Sequence, residues 1–236
     1  MNSKILSYTI ILLLILTVSC NNASKKQENV QETEIKKDTV TIDSTKITKK
    51  EPEFKLTEEN AIPFFFEYNK TLTENKVKIT TNLGSFTLEL FENVPYHRAN
   101  FIYLTKKGYF NDTYFHRVVK NFIIQGGNAD NIKTSKKRSK IGRYLLPPDT
   151  KKGHKHHRGV ISMPSSENDN PHKLASPYEF FIVVTKPGSY HLDGDYTPFG
   201  RVIQGMDVVD IINSQPVDEG DWPKQNIFII KAEVVK

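Results

Sequence analysis

The feature that most constrains the fold of this chain is a succession of short segments in which apolar and polar residues alternate, because that period is typical of half-buried β-strands. The pattern predicts strands at 77–81, 86–90, 114–118, 122–126, 159–163, 179–184, 198–203 and 226–234. Within this region helical patterns follow only the second strand, where Pro95 suits a first turn, and the seventh, at 206–213. Since closure removes exposed strand edges, we predict a mainly β fold, a closed eight-stranded antiparallel barrel.

One arginine stands among the apolar positions of the third predicted strand. The strand period places three residues on one face, namely Phe115, Arg117 and Val119. In the next strand it places two residues, Phe122 and Ile124, opposite Ile123 and Gln125. We expect the guanidinium, the amide and a phenyl ring to converge beside Gly126 and Gly127, which permit close backbone approach. A strand arginine more commonly keeps its head in water, so these residues alone do not define a site.

The surrounding motifs resemble those of the cyclophilin-type peptidyl-prolyl cis-trans isomerases. FHRVV at 115–119 and FIIQGG at 122–127 follow the family signature in order and spacing. Later blocks keep the family order, with GVISM at 159–163, EFFIV at 179–183, LDG at 192–194, FGRV at 199–202 and GM at 205–206. The resemblance covers residues 76–236 and implies a cyclophilin-like barrel with two capping helices and a binding site on its outer face.

The resemblance also implies a role for each matched residue. Arg117 is the expected hydrogen-bond donor to the prolyl nitrogen, and Gln125 is expected to hold the substrate backbone. The apolar pocket for the pyrrolidine ring is expected to consist of Phe122, Met163, Phe181 and Leu192. These residues are all present at the matching positions.

Several positions near this pocket differ from the best-known members. Tyr196 stands where many have histidine, and Glu179 replaces a glutamine and adds a negative charge. Pro164 and Ser165 replace an Ala-Asn pair whose backbone grips the substrate, and His191 replaces a tryptophan. We therefore add Ser165, Glu179 and Tyr196 to the predicted substrate-binding residues.

The implied reaction requires neither a metal nor a cofactor. An X-Pro bond isomerises slowly because amide resonance raises a barrier of about 18–20 kcal/mol. Twisting the amide gives the prolyl nitrogen a lone pair, and a fixed guanidinium that donates to it binds the transition state better than either ground state. We predict an isomerase acting on proline-containing polypeptides. The alternative is a proline-peptide-binding or chaperone module with weak or no catalysis.

The N-terminus predicts export. Lys4 precedes an apolar run, 5–18, that is shorter than the roughly 20 residues of a membrane span, so residues 1–19 are predicted to be a signal peptide. Ser19-Cys20 resembles the bacterial lipobox, although Thr17 departs from the usual leucine, and implies lipidation of Cys20. We predict a lipid-anchored protein of the bacterial cell envelope, facing the periplasm. A soluble exported protein is the alternative.

Two segments separate this N-terminus from the barrel. Residues 20–53 are polar and without a period, which predicts a disordered tether beginning at the lipidated cysteine. Residues 54–75 carry two alternative cap candidates, Thr57 and Asn60, and several aromatic residues, which predicts an extra helix that braces the domain. A helix that binds a partner is the alternative. We expect the chain to be a monomer.

A basic insertion, residues 133–158, has ten Lys or Arg residues and one acid, a net +9 in a chain of +6. Its charges predict a solvated loop, whereas the apolar stretch 144–148 is expected to pack against the barrel. No metal is predicted at His154, His156 and His157, because neighbouring lysines repel a cation. Nucleic acid is not an expected partner, because interleaved aromatic residues are lacking.

Overall fold

The structure is a computed structural model that describes residues 54–165 and 170–236. The predicted signal peptide, the lipidation of Cys20 and the tether lie outside the described residues. In the part of the chain that is described, no helix combines the length and apolar character needed to cross a membrane.

Eight strands of the described residues form a closed barrel, as predicted. They are β1 (Lys76–Thr81), β2 (Gly84–Leu90), β3 (Thr113–Val119), β4 (Ile123–Asn128), β5 (Val160–Ser162), β6 (Phe180–Val183), β7 (Pro198–Gln204) and β8 (Ile227–Val235). Their order around the barrel is β1-β2-β7-β5-β6-β4-β3-β8, and neighbouring strands are antiparallel. Each strand therefore has a neighbour on both sides, which satisfies its backbone groups.

Aromatic side chains fill the barrel. The ring of Phe180 on β6 meets those of Phe101, Phe110 and Phe115 edge-on, with centroids 5.5, 5.7 and 5.8 Å away. This is the geometry that aromatic pairs favour, and all four rings are buried. Because the interior is filled, a ligand must bind on the outer surface.

Besides a short 3-10 helix at Tyr190–Leu192, the described residues form four α-helices. They are α1 (Ala61–Lys70), α2 (Pro95–Lys106), α3 (Ile132–Ile141) and α4 (Met206–Asn213). The sequence predicted α1, α2 and α4 but not α3, because the many lysines of α3 obscure an apolar period. Its start nevertheless carries a cap signal, since Asn131 accepts a hydrogen bond from the Thr134 N–H at 2.8 Å.

Helix α1 packs against α2 on the side away from the barrel. Phe65 of α1 is fully buried, and its ring lies 5.9 Å from that of Tyr103 of α2. Arg98 of α2 is also buried and donates to Asn69 Oδ1 at 2.8 Å. Because α2 is covered on two sides, most of its residues are buried. We call residues 54–75 the brace.

The basic segment, residues 133–158, is only partly a solvated loop. It begins with α3, and Tyr144 and Leu146 are buried in the main core, as the apolar stretch predicted. The Tyr144 hydroxyl donates to Asn100 Oδ1 of α2 at 2.7 Å. The ring of Tyr144 lies 5.6 Å from that of Phe65. This segment therefore shares a packed layer with the brace.

A backbone contact joins the brace to the basic segment. The Leu56 N–H donates to the Ile141 carbonyl at 2.8 Å, and the Leu56 carbonyl accepts from the Arg143 N–H at 3.0 Å. Gly142 between them has a φ of +134°, and a Cβ there would come within 1.9 Å of the Leu56 carbonyl oxygen. Only glycine allows this approach.

Candidate active site

Four side chains form a row across neighbouring strands on the outer face of the barrel. Arg117 of β3 is opposite Gln125 of β4, which is opposite Phe181 of β6. Phe181 is in turn opposite Ser162 of β5. Opposed residues of paired strands point to the same face of a sheet. The register thus brings the guanidinium of Arg117, the amide of Gln125 and the ring of Phe181 onto one surface.

The predicted alternation in β3 is wrong at Phe115. Phe115 pairs with Gly126 while Arg117 pairs with Gln125, so β3 has an extra residue, His116, at this point. Such a bulge reverses the face on which later residues lie. Phe115 therefore points into the core with 1% of its surface exposed, and Arg117 points outward.

The strand period predicted that Phe122 and Ile123 point to opposite faces of the sheet. In the structure both side chains pack on the same cluster. Phe122 precedes β4 in a turn, where its N–H donates to the Val119 carbonyl at 3.0 Å. Asn213 at the end of α4 holds this turn, since its Nδ2 donates to the carbonyls of Val119 at 2.9 Å and Ile123 at 3.2 Å. The turn allows Phe122 and Ile123 to pack on the same apolar cluster.

An apolar cluster, here called the outer cluster, is separate from the main core. Its buried members are Ile123, Phe181, Val183 and Leu192, and its partly buried members are Val119, Phe122 and Tyr196. It contains four residues predicted to bind substrate, namely Phe122, Phe181, Leu192 and Tyr196. An apolar surface beside a few polar groups is typical of a small-ligand site. Sequence reasoning did not assign Ile123 to it.

Aromatic contacts set the edges of the outer cluster. The ring of Tyr196 stands edge-on to that of Phe181, with centroids 5.5 Å apart. The ring of His191 stacks on that of Phe122 at 5.4 Å. His191, which stands where well-known members have tryptophan, therefore packs against the outer cluster at Phe122.

Met163 and Ser165 lie elsewhere. Met163 is 1% exposed and packs in the main core, because it follows Ser162, which faces outward. The Ser165 hydroxyl accepts a hydrogen bond from Asn170 Nδ2 at 2.9 Å, and Ser165 pairs with Ala175. The described residues do not place either side chain in the outer cluster.

The guanidinium of Arg117 is accessible. Its side chain is 43% exposed, and its ion pair, Nη2 to Asp221 Oδ2, is long at 3.6 Å. Asp221 is itself 39% exposed. Exposed pairs of this kind contribute little stability, so the guanidinium can exchange Asp221 for another acceptor at small cost.

Glu179 joins several polar groups beside this row. Its Oε2 accepts from Gln125 Nε2 at 3.0 Å and lies 3.5 Å from His116 Nε2. Its Oε1 accepts from Asn128 Nδ2 at 3.2 Å and lies 3.9 Å from Arg138 Nη2 of α3. Burial pushes the Glu179 pKa upward, but bonds from His116 and Gln125 and the charge of Arg138 hold it below its usual value.

The sequence comparisons agree with this geometry. Residues 76–234 match the family described as cyclophilin type peptidyl-prolyl cis-trans isomerase/CLD. The chain belongs to this family.

Curated relatives and solved structures show the same relationship. This cyclophilin is 39% identical over 162 residues to peptidyl-prolyl cis-trans isomerase-like 1 of Neurospora crassa, covering 68% of this chain and 94% of the relative. It is 39% identical over 171 residues to peptidyl-prolyl cis-trans isomerase-like 2 of Rhizopus delemar, covering 72% of this chain but 30% of that protein. A cyclophilin type isomerase of Cryptosporidium parvum, solved in the presence of the dipeptide Ala-Pro, superposes with a TM-score of 0.57 at 29% identity, covering 68% and 99% of the two chains.

Sequence reasoning missed one buried residue of this cyclophilin. His156, in the basic segment, is 0% exposed, with Nδ1 2.7 Å from Asp193 Oδ1 and Nε2 2.9 Å from Ser162 Oγ. Burial lowers its pKa despite the neighbouring carboxylate. Its flanking lysine and histidine gave no local sign of burial.

The three histidines of the HKHH stretch have different partners. His154 Nε2 lies 2.8 Å from Asn93 Oδ1, and His157 Nδ1 lies 2.9 Å from the Tyr190 hydroxyl. His156 bonds to Asp193 and Ser162 instead. Among residues 54–165 and 170–236, no group of three or more His, Cys, Asp or Glu side chains is arranged to hold a metal ion.

Proposed function

We propose that this cyclophilin catalyses X-Pro isomerisation in exported proteins, with Arg117 as its catalytic residue. The observation that carries the assignment is the row formed by Arg117, Gln125 and Phe181 across three strands. A proline ring seated on the outer cluster next to Phe181 lies beside the amide of Gln125, with the guanidinium one strand further on. The groups required to hold and twist a prolyl amide thus share one surface.

Arg117 acts by electrostatic stabilisation. As the amide twists, its nitrogen becomes pyramidal and gains hydrogen-bonding capacity that the planar ground states lack. A guanidinium held nearby donates to this lone pair and lowers the barrier without forming a covalent bond. Because Asp221 holds Arg117 only through a long, exposed contact, the substrate can replace it.

The other substrate contacts follow from the same surface. Phe122, Phe181 and Leu192 hold the pyrrolidine ring, and Tyr196 offers a hydroxyl at the rim. Gln125 holds the substrate backbone, with Glu179 behind it. Ser165 remains a proposed contact for the peptide outside the outer cluster. The Cryptosporidium parvum relative, solved in the presence of Ala-Pro, supports a proline-containing ligand for this site.

Exchange NMR of an X-Pro peptide tests the assignment. The purified chain should accelerate cis-trans exchange, and Arg117→Ala should lower the rate by about 100-fold, the loss typical of a removed transition-state donor. Peptide affinity should fall much less than the rate. No acceleration by the wild-type chain would contradict isomerase activity and would favour a peptide-binding or chaperone module.

We also infer that the protein is lipid-anchored in a bacterial cell envelope, faces the periplasm and acts as a monomer. The support for export and for the anchor is the N-terminal sequence, with a charged start, an apolar run and Ser19-Cys20 at its end. The polar stretch to residue 53 would let the domain reach substrates at a distance from the membrane. Mass spectrometry of the mature N-terminus decides: an unmodified peptide spanning Ser19 and Cys20 would exclude the anchor.

A further inference from the structure

His156 links strands and loops that surround the outer cluster. Its ring bonds to Ser162 at the end of β5 and to Asp193 in the loop after β6. Its backbone N–H also donates to Asp193 Oδ1 at 2.9 Å, and its carbonyl accepts from the Ser189 N–H at 2.7 Å. The stretch 189–193, which carries Leu192 of the cluster, is therefore held by one residue of the basic segment.

The imidazole also lies against Phe181. The two rings are nearly parallel, at 13°, with centroids 6.2 Å apart. Ser162, which bonds to the same imidazole, is opposite Phe181 in the β5–β6 ladder. His156 thus restrains Phe181 in two ways, by contact with its ring and by a hydrogen bond to its strand partner Ser162.

The bonding pattern determines the tautomer of His156. A carboxylate only accepts hydrogen bonds, so Nδ1 must carry the hydrogen that goes to Asp193. Nε2 of the neutral ring is then an acceptor, and the Ser162 hydroxyl must donate to it. Each member of this chain has one fixed role, so the loss of one leaves a buried polar group without a partner.

The order Asp193, His156, Ser162 is that of a hydrolase triad, but the surroundings exclude nucleophilic use. Ser162 and His156 are both 0% exposed. A nucleophilic serine needs an open approach for its electrophile. A closed chain of this kind restrains the position of its members and does not attack a substrate.

We propose that His156 is a positioning residue for the proline pocket, holding Phe181, Ser162 and the 189–193 loop in the geometry that accepts a pyrrolidine ring. This inference rests on the proposed role of the outer cluster. It gives the basic segment a part in substrate recognition that its charges do not suggest. His156 itself does not touch the substrate.

The test compares affinity and rate in two sets of variants of the full chain. His156→Leu removes both ring bonds, and Ser162→Ala removes one of them with little change in volume. Exchange NMR on an Ala-Pro peptide should show an affinity about tenfold weaker for His156→Leu, from the unpaired groups and the loosened pocket. The exchange rate of the saturated complex should change less than twofold, because Arg117 is intact.

The controls separate this inference from the proposed function. His154→Leu removes another histidine of the same stretch, whose side-chain partners Asn93 and Phe91 lie outside the outer cluster, and its affinity should match that of the wild type. Arg117→Ala should show the opposite pattern, a lost rate with affinity largely kept. If the wild-type chain does not accelerate exchange, the proposed function is wrong. If it does, the affinity of His156→Leu tests the positioning role separately.

Three outcomes would overturn the positioning role. The first is wild-type affinity in both His156→Leu and Ser162→Ala. The second is an additive loss in the double variant, because two residues that act through one bond must show coupled effects. The third is labelling of Ser162 by a fluorophosphonate, which would show an open, nucleophilic serine. If His156→Leu does not fold, Ser162→Ala alone should still weaken binding, and unchanged binding would refute the proposal.

Discussion

The side-chain amide of Gln125 donates to the carboxylate of Glu179, with Nε2 and Oε2 3.0 Å apart. An ionised carboxylate cannot donate, so this contact fixes which end of the amide faces Glu179. Glutamine at position 179 would accept either orientation of Gln125. Glu179, which was predicted to add a negative charge to the site, therefore orders a neighbouring amide, while Arg138 offsets its charge.

Glu179→Gln should weaken the binding of a proline peptide. Gln125 then loses its fixed orientation, and Arg138 loses a partner for its guanidinium, so we expect an affinity about fivefold lower. Isothermal titration with a short X-Pro peptide measures it. The control is Glu67→Gln on α1, whose side chain is 68% exposed and should not affect binding. Equal affinity in all three proteins would show that Glu179 does not order the site.

Asp221→Asn should leave isomerase activity within about twofold of the wild type. The 3.6 Å contact with Arg117 is exposed at both ends, and pairs of this kind contribute less than about 1 kcal/mol. Removing the carboxylate also frees the guanidinium for the substrate. Rates of exchange at several peptide concentrations check the prediction. A loss as large as that of Arg117→Ala would mean that Asp221 takes part in catalysis.

Phe65→Ala should destabilise the whole domain. This side chain is fully buried between α1 and the α2 layer, and truncation of a buried phenylalanine costs about 3–5 kcal/mol. The neighbouring Phe66 is 47% exposed, so Phe66→Ala should cost less than about 1 kcal/mol. The free energy of unfolding in urea, measured for both variants and the wild type, checks the prediction. Similar small losses would indicate that the brace contributes little to stability.

His97 on α2 should make stability depend on pH. Its side chain is 0% exposed, and neither ring nitrogen has a partner among the described residues. Burial lowers its pKa from 6.5 to about 3, so between these values only the unfolded chain binds the proton. The His97 contribution is intact above pH 6.5 and is lost as the pH falls towards 3. At pH 5 the loss should be about 2 kcal/mol.

His97→Leu provides the comparison. It removes both the titration and an unpaired buried polar group, so its free energy of unfolding should depend less steeply on pH below 6.5. Urea unfolding at pH 7.5 and pH 5 gives the difference between the two proteins. Parallel pH profiles would show that His97 has an ordinary pKa in the folded state.

The local pattern of the sequence predicted the strands, three of the helices and the matched site motifs. The local pattern does not contain the register between paired strands, which decides the face on which a side chain lies. The extra residue at His116 exists only relative to β4, so the period of β3 alone could not show that Phe115 and Arg117 face opposite ways. Likewise, the turn at Phe122 depends on Asn213, far along the chain.

The tertiary contacts of the basic segment were equally hidden. Arg138 and His156 stand among lysines, which indicate solvent exposure by composition. Their partners, Glu179 and Asp193, come from other parts of the chain. Asn131, which caps α3, and Gly142 just beyond it were the signals that could have revealed the helix.

The contact between Leu56 and Gly142 has a consequence for protein engineering. The family match begins at residue 76, and a chain trimmed to that boundary would lack Leu56 and Phe65. The backbone on either side of Gly142 and the ring of Tyr144 would then lose partners and face water. We therefore expect the smallest autonomous folding unit of this protein to begin before Leu56, about twenty residues ahead of the start of the family match.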